Sequence, residues 1–146
     1  MATLTAEESL NYLYSLIPKG IKLGLKNISV VLNELGNPQL NTPSIHIAGT
    51  NGKGSTAAFC ESILRHAGYR VGLYTSPHLN HFGERIQINR IPLSESELIQ
   101  LVAKVKNVVE NLRIPITFFE FGTAMAFLHF ADQETDINVI EVGMGG

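Results

Sequence analysis

The chain has 146 residues, about one domain's length, with 45% apolar and 16% charged residues; that can bury a core and is too apolar for a disordered tail or solvated linker. Eleven Lys and Arg against thirteen Asp and Glu leave a formal charge of −2 with no block of like charge, which excludes the basic footprint of a nucleic-acid or anionic-membrane binder. One cysteine, Cys60, excludes an intrachain disulfide framework and a multi-cysteine zinc site. The start, Met1 to Leu10, carries Glu7 and Glu8 and lacks the basic-then-apolar layout of a signal peptide. The most apolar stretch, Ile116 to Ala131, is interrupted by Glu120 and His129 and is too short to span a bilayer. The expectation is a soluble, cytoplasmic monomer with no nucleic-acid or membrane partner.

In chain order, Thr5-x-x-Glu8 is a capping box opening a first helix, with Leu10, Leu13, Tyr14 and Ile17 at helical spacing and Pro18 and Gly20 as its stop. A second helix places Ile28, Val31, Leu32 and Leu35 on one face, with Gly36 suited to its C′ position. A loop from Asn37 to Pro43 follows. From Ser44 the pattern changes. Ser44 to Ala48 reads as a short buried strand, with His46 an interior histidine, and Gly49 to Gly54 as a glycine-rich turn. A helix from about Ser55 to Ala67 is expected to face Phe59, Ile63, Leu64 and Ala67 inward and to end at Gly68. Arg70 to Thr75 is the next strand, which makes a βαβ unit and predicts a parallel sheet. Ile86 and Ile88 alternate with polar neighbours before a hairpin tip at Asn89-Arg90, where Arg is a poorer turn residue than Gly. Ser94-x-x-Glu97 is a second capping box, opening a helix with Leu98, Leu101, Val102, Val105, Val108 and Val109 on its apolar side. Thr117 to Asp132 is a strongly apolar helix in which His129, like Cys60 in its own helix, is a packing residue. Asp136 to Val142 is a buried strand running into Gly143-Met144-Gly145-Gly146. The chain stops where a sheet should continue, so a truncated α/β fold is expected: a mononucleotide-binding parallel sheet with flanking helices, residues 1–43 forming a helical segment and 44–146 the first part of the nucleotide-binding domain.

The chemistry concentrates at Gly49-Thr-Asn-Gly-Lys-Gly-Ser-Thr56. This run departs from the usual phosphate loop: Gly49 is four residues before Lys53 rather than six, and Gly54 separates Lys53 from the hydroxyl residue. The physics still fits. Small residues let backbone N–H groups converge on phosphate oxygens at a helix N-terminus, Lys53 supplies a full charge, and Ser55 or Thr56 offers a hydroxyl near a magnesium ion. Glu141 ends a buried strand, and ligands of open α/β sheets collect at the carboxyl ends of strands. There it can hold Mg²⁺, or else cap a helix or face solvent. Thr75-Ser76-Pro77-His78 stands on the same rim, and Pro77 fixes a turn that can aim the Ser76 hydroxyl at a nucleotide–metal site. His78 and His81 read as loop polar groups, lacking the further ligands that zinc would need. Glu120, within Phe118-Phe-Glu-Phe121, either accepts ring N–H groups of a heterocycle clamped by the aromatics or is a first-turn acid favoured by the helix dipole.

Together, Gly49–Thr56, Tyr74-Thr-Ser-Pro-His-Leu79, Glu84-Arg-Ile86, Thr117-Phe-Phe-Glu120 and Glu141-Val-Gly-Met-Gly-Gly146 resemble folylpolyglutamate synthase/dihydrofolate synthase, of the Mur ligase superfamily. The likeness runs from Ile21-Lys-Leu-Gly-Leu25 onward and departs at Lys26-Asn27 and Asn89-Arg90. It implies ATP-dependent addition of L-glutamate to dihydropteroate or to the γ-carboxyl of a folate through an acyl phosphate. By the same resemblance Thr50, Asn51, Gly52, Lys53, Gly54 and Ser55 bind the ATP phosphates, with Lys53 catalytic. Ser76 and Glu141 bind Mg²⁺. Thr117, Phe118, Phe119 and Glu120 contact the pterin, which the segment from Ser15 to Leu25 helps to cover. Family members continue well past residue 146, so the activity is expected of a longer parent protein and not of this chain alone. The alternatives are another Mur-type amide ligase, for which the 43 residues before Ser44 leave no room for a UDP-binding domain, or a P-loop kinase or NTPase.

Overall fold

The computed structural model describes residues 3–21 and 24–143. Lys22, Leu23 and the terminal Met144, Gly145 and Gly146, which carry parts of the motifs above, lie outside the described residues. The chain forms two compact units, Met1–Gln39 with Ser94–His129, and Leu40–Leu93 with Phe130–Gly146. No helix among the described residues is long and apolar enough to cross a membrane.

The first unit is helical. Helix α1 (Ala6–Ser15) opens with both halves of the capping box: Thr5 Oγ1 accepts the Glu8 N–H at 3.1 Å, and Glu8 Oε2 accepts the Thr5 N–H at 2.7 Å. Its buried side chains are Ser9, Leu13 and, just past its end, Leu16, whereas Tyr14 and Ile17 are exposed. The inward stripe is therefore rotated from the expected one, and Ser9 is admitted because its hydroxyl donates to the Thr5 carbonyl at 2.8 Å. Helix α2 (Lys26–Glu34) buries Ile28, Val31 and Leu32. It ends as predicted on Gly36, whose φ of +87° allows the Gly36 N–H to reach the Asn33 carbonyl and the Asn37 N–H that of Leu32. Both helices pack on α4 (Glu95–Leu112), capped by Ser94 and Glu97 and buried through Leu98, Leu101, Val102, Val105 and Val109. Helix α5 (Phe118–Asp132) begins in this unit, where Phe121 is fully buried with its ring edge-on to Tyr12 at 5.4 Å.

The second unit is a five-stranded sheet of order β1-β5-β2-β3-β4. The strands are β1 (Ser44–Ile47), β2 (Val71–Tyr74), β3 (Ile86–Ile88), β4 (Ile91–Pro92) and β5 (Ile137–Glu141). β1, β5 and β2 run parallel, as the βαβ grammar requires, with β5 inserted between the first two. β3 and β4 form the antiparallel hairpin expected from the sequence. Asn89 and Arg90 at its tip both take positive φ, +49° and +66°, the geometry of a two-residue primed turn that glycine would fill with less strain. Helix α3 (Lys53–His66) packs on the parallel strands.

Three expectations for this unit are corrected. β1 is an edge strand of the described sheet, so it is half-buried at most and His46 is exposed rather than interior. α3 begins at Lys53, two residues early, because Gly52 supplies the left-handed N-cap. Its inward face is Ala57, Cys60, Glu61 and Leu64, while Phe59 and Ile63 are 69% and 70% exposed. The core formed by Val71, Leu73 and Val139 accepts the small Ala57 at close approach. Glu61 is tolerated at full burial because Arg65 Nε donates to both its oxygens, at 2.7 and 3.2 Å.

Candidate functional site

Short side chains at residues 49–52 bring the chain from the end of β1 into α3 with little to fill the space around the backbone. Gly52, at φ +75°, turns it into the helix, and among the described residues no side chain caps that N-terminus. The first turn of α3 therefore presents backbone N–H groups and the positive end of a 14-residue helix. Lys53 and Gly54 lie within that first turn, so the lysine is carried by the same rigid element as the amides. Lys53 Nζ donates to the Gly143 carbonyl at 3.1 Å.

β5 delivers Glu141 to the same place. Pairing of Ile47 with Glu141 sets the carboxyl ends of β1 and β5 level. A Cβ added to Gly54 would stand 3.9 Å from Glu141 Oε2, so the first turn of α3 and the end of β5 lie close together at this glycine. The Glu141 residue is 6% exposed. Burial pushes its carboxyl above the usual range, opposed by the Lys53 ammonium and by a hydrogen bond from the Ser76 backbone. β2 adds the third component. After Tyr74 the chain turns through Thr75, Ser76 and a cis Ser76–Pro77 bond. Gly54, Thr75, Ser76 and Glu141 thus line one cleft of about 440 Å³, together with Glu84 and Arg90.

Of the expected phosphate and metal residues, Gly54, Ser76 and Glu141 share this cleft, and Lys53 acts on Glu141 from the base of α3. Thr50, Asn51 and Gly52 form the turn before α3, and Ser55 follows in its first turn. Thr117, Phe118, Phe119 and Glu120 belong to the helical unit. There Thr117 and Glu120 make a third capping box. Glu120 Oε1 accepts the Thr117 N–H at 3.1 Å and its hydroxyl at 2.9 Å, and Thr117 Oγ1 accepts the Glu120 N–H at 3.2 Å. Thr117 is buried, Phe118 half-buried and Phe119 38% exposed. The T-x-x-E spacing was available in the sequence as a cap signal.

Glu84, legible in the sequence only as part of the family motif, also lines this cleft. Its signal was an acid three residues after His81, the spacing of a cap. Glu84 accepts the N–H groups of Leu79, Asn80 and His81, and these bonds hold its carboxyl below the usual range. Beside it, His78 Nδ1 accepts from Arg85 Nε at 2.8 Å; burial first, then the Arg85 charge, holds the imidazole below its ordinary value. Among the described residues no three His, Cys, Asp or Glu side chains gather as a metal cage. The oxygen donors around Glu141 nevertheless suit a hard cation such as Mg²⁺, which commonly takes one or two carboxylates and completes its shell with phosphate and water.

No protein-family model matches the chain. The dihydrofolate synthase/folylpolyglutamate synthase of Bacillus subtilis (strain 168) is 41% identical over 145 residues, covering 96% of this chain and 34% of that protein. The chain is homologous to the folylpolyglutamate and dihydrofolate synthases. The crystal structure of folylpolyglutamate synthase from Thermotoga maritima matches with a TM-score of 0.90 at 46% identity, over 97% of this chain and 34% of that one. A folylpolyglutamate synthase complex with AMPPCP and folate matches at 0.90 and 38% identity, over 98% of this chain and 36% of that one. This homologue thus spans about a third of the length of the relatives it matches.

Proposed function

We propose that the cleft is the nucleotide-phosphate and Mg²⁺ site of an ATP-dependent ligase that adds L-glutamate to dihydropteroate or to the γ-carboxyl of a folate. The observation that carries this reading is the meeting of the uncapped α3 N-terminus, Lys53 and the buried Glu141 at the carboxyl ends of parallel strands. The AMPPCP–folate complex of a similar protein supports the choice of ligands. Residues 1–43 would then be the N-terminal helical segment and 44–146 the first part of the ATP-binding domain of a cytoplasmic, monomeric enzyme.

In that reading, residues 50–55 grip the phosphates, and Ser76 and Glu141 hold Mg²⁺, which neutralises charge on the phosphate oxygens when bound. A carboxylate oxygen is a poor leaving group. Its attack on the γ-phosphorus releases ADP and makes an acyl phosphate; the glutamate amine then attacks the acyl carbon, phosphate departs, and the amine loses a proton as the amide forms. Lys53 offsets negative charge as the phosphoryl group moves, the contribution from which such sites draw most of their rate. Thr117 to Glu120 would contact the pterin.

ADP release by a protein of the relatives' length carrying this chain, with dihydropteroate or tetrahydrofolate, tests the reading. Release should require both the pterin acid and L-glutamate, and the 146 residues alone should show no turnover. Release needing neither co-substrate would make the protein a simple NTPase.

A further inference from the structure

The loop between β2 and the Phe82–Arg85 turn forms one wall of the cleft through Ser76, Pro77 and Leu79. Packing does little to fix it: Leu79 is 91% exposed, and Pro77, Asn80 and His81 are exposed as well. Its backbone donors must find partners elsewhere, and Glu84 supplies three. Oε1 accepts the Leu79 N–H, and Oε2 those of Asn80 and His81, all at 2.9 Å. His81 Nδ1 lies 3.1 Å from the same Oε2. Three successive N–H groups around one ionised carboxylate form a nest of charge-assisted bonds, stronger than neutral ones and sensitive to the acceptor's charge. At its other end the loop is tied by the Ser76 backbone to Glu141, and the Thr75 N–H donates to the Arg85 carbonyl at 3.0 Å. Two carboxylates on different elements thus hold opposite ends of one exposed loop.

We propose that Glu84 is a positioning residue: by clamping Leu79–His81 it sets where Ser76 stands in the cleft. The clamp follows from the hydrogen bonds alone, whereas its effect on ATP rests on the ligase reading above. Glu84→Gln keeps the side-chain length but exchanges one acceptor oxygen for a donor. Hydrogen exchange at Leu79, Asn80 and His81 in the variant should rise about tenfold, with Val71–Tyr74 and Ile137–Glu141 unchanged within about twofold, and the Ser76 amide resonance should move. Unchanged protection at 79–81, or loss spread evenly over the strands, overturns the clamp. His81→Ala, which removes the ring and keeps the backbone donor, should leave 79–81 protected. A rise as large as that of Glu84→Gln would assign the effect to the imidazole and overturn the proposal. In a protein of the relatives' length, Mg·ATP affinity should fall about fivefold or more with Glu84→Gln; unchanged affinity beside a loosened loop overturns the positioning role. Failure of the unaltered protein to bind Mg·ATP would count against the ligase reading, while the exchange data decide the clamp independently.

Discussion

Helices α1, α4 and α5 of the helical unit contrast with α3 of the sheet unit. In the first, α1, α4 and α5 each open on a Thr or Ser paired with a Glu three residues on, and large apolar side chains such as Leu13, Val102 and Phe121 are buried. In the second, α3 turns Phe59 and Ile63 outward and Glu61 inward, and its N-terminus has no side-chain cap. A helix whose start is capped by its own residues is satisfied by itself; one whose first-turn amides stay uncapped beside a lysine and a buried carboxylate is arranged for something else. On the ligase reading proposed above, α3 forgoes a side-chain cap at the place where the phosphates would bind.

Replacing a phenylalanine in each unit should break this contrast most sharply. Phe121→Ala removes a fully buried ring that also meets Tyr12, and should cost about 3–5 kcal/mol in chemical denaturation. Phe59→Ala, at 69% exposure, should stay within about 0.5 kcal/mol. Equal losses would show that α3 is covered as α5 is.

Lys53→Ala sharpens the same contrast from the other side. ADP release by a protein of the relatives' length should fall about 10²–10³-fold. The same substitution in this chain removes one hydrogen bond to the Gly143 carbonyl and should cost about 1 kcal/mol. Near-normal glutamate ligation would remove Lys53 from the mechanism.

The smallest effect is a pH dependence in the first capping box. The Thr5 backbone N–H, then its hydroxyl, hold the Glu8 carboxyl below 4.5. An acid whose folded value is depressed contributes its stability above the unfolded value and loses it as pH falls through the folded one. Wild type should therefore lose stability below pH 4.5 more steeply than Glu8→Gln; parallel acid melts would show the box to be energetically silent.

What could be read in advance differs between the units for a physical reason. The Thr5–Glu8 and Ser94–Glu97 boxes and the Gly36 stop are contacts between residues within a few positions of each other, so spacing alone reveals them. The Thr117–Glu120 box has the same spacing, which fits a first-turn acid and a ligand contact equally well, so spacing alone left both open. The inward face of α3 was not legible, because Phe59 and Ile63 fit the helical period as well as Ala57 and Leu64 do. The sheet chose between them by how closely the helix approaches Val71, Leu73 and Val139.

By itself the sequence determined the capped starts of α1 and α4 and the Gly36 stop of α2, that strands alternate with helices in the parallel part, that a glycine-rich turn leads into α3 at its one lysine, and which family the motifs resemble. All of these rest on near neighbours or on fixed periodicity. Only the tertiary structure decided that β5 lies between β1 and β2, that His46 sits on the edge strand of the described sheet, and that Glu84 accepts the N–H groups of the loop after Ser76, whereas the nearness of Glu141 to the glycine-rich turn followed from its place at the carboxyl end of a strand. Strand order and cleft geometry depend on pairing between residues as far apart as Ile47 and Glu141, and that pairing is settled by packing in three dimensions rather than by local spacing.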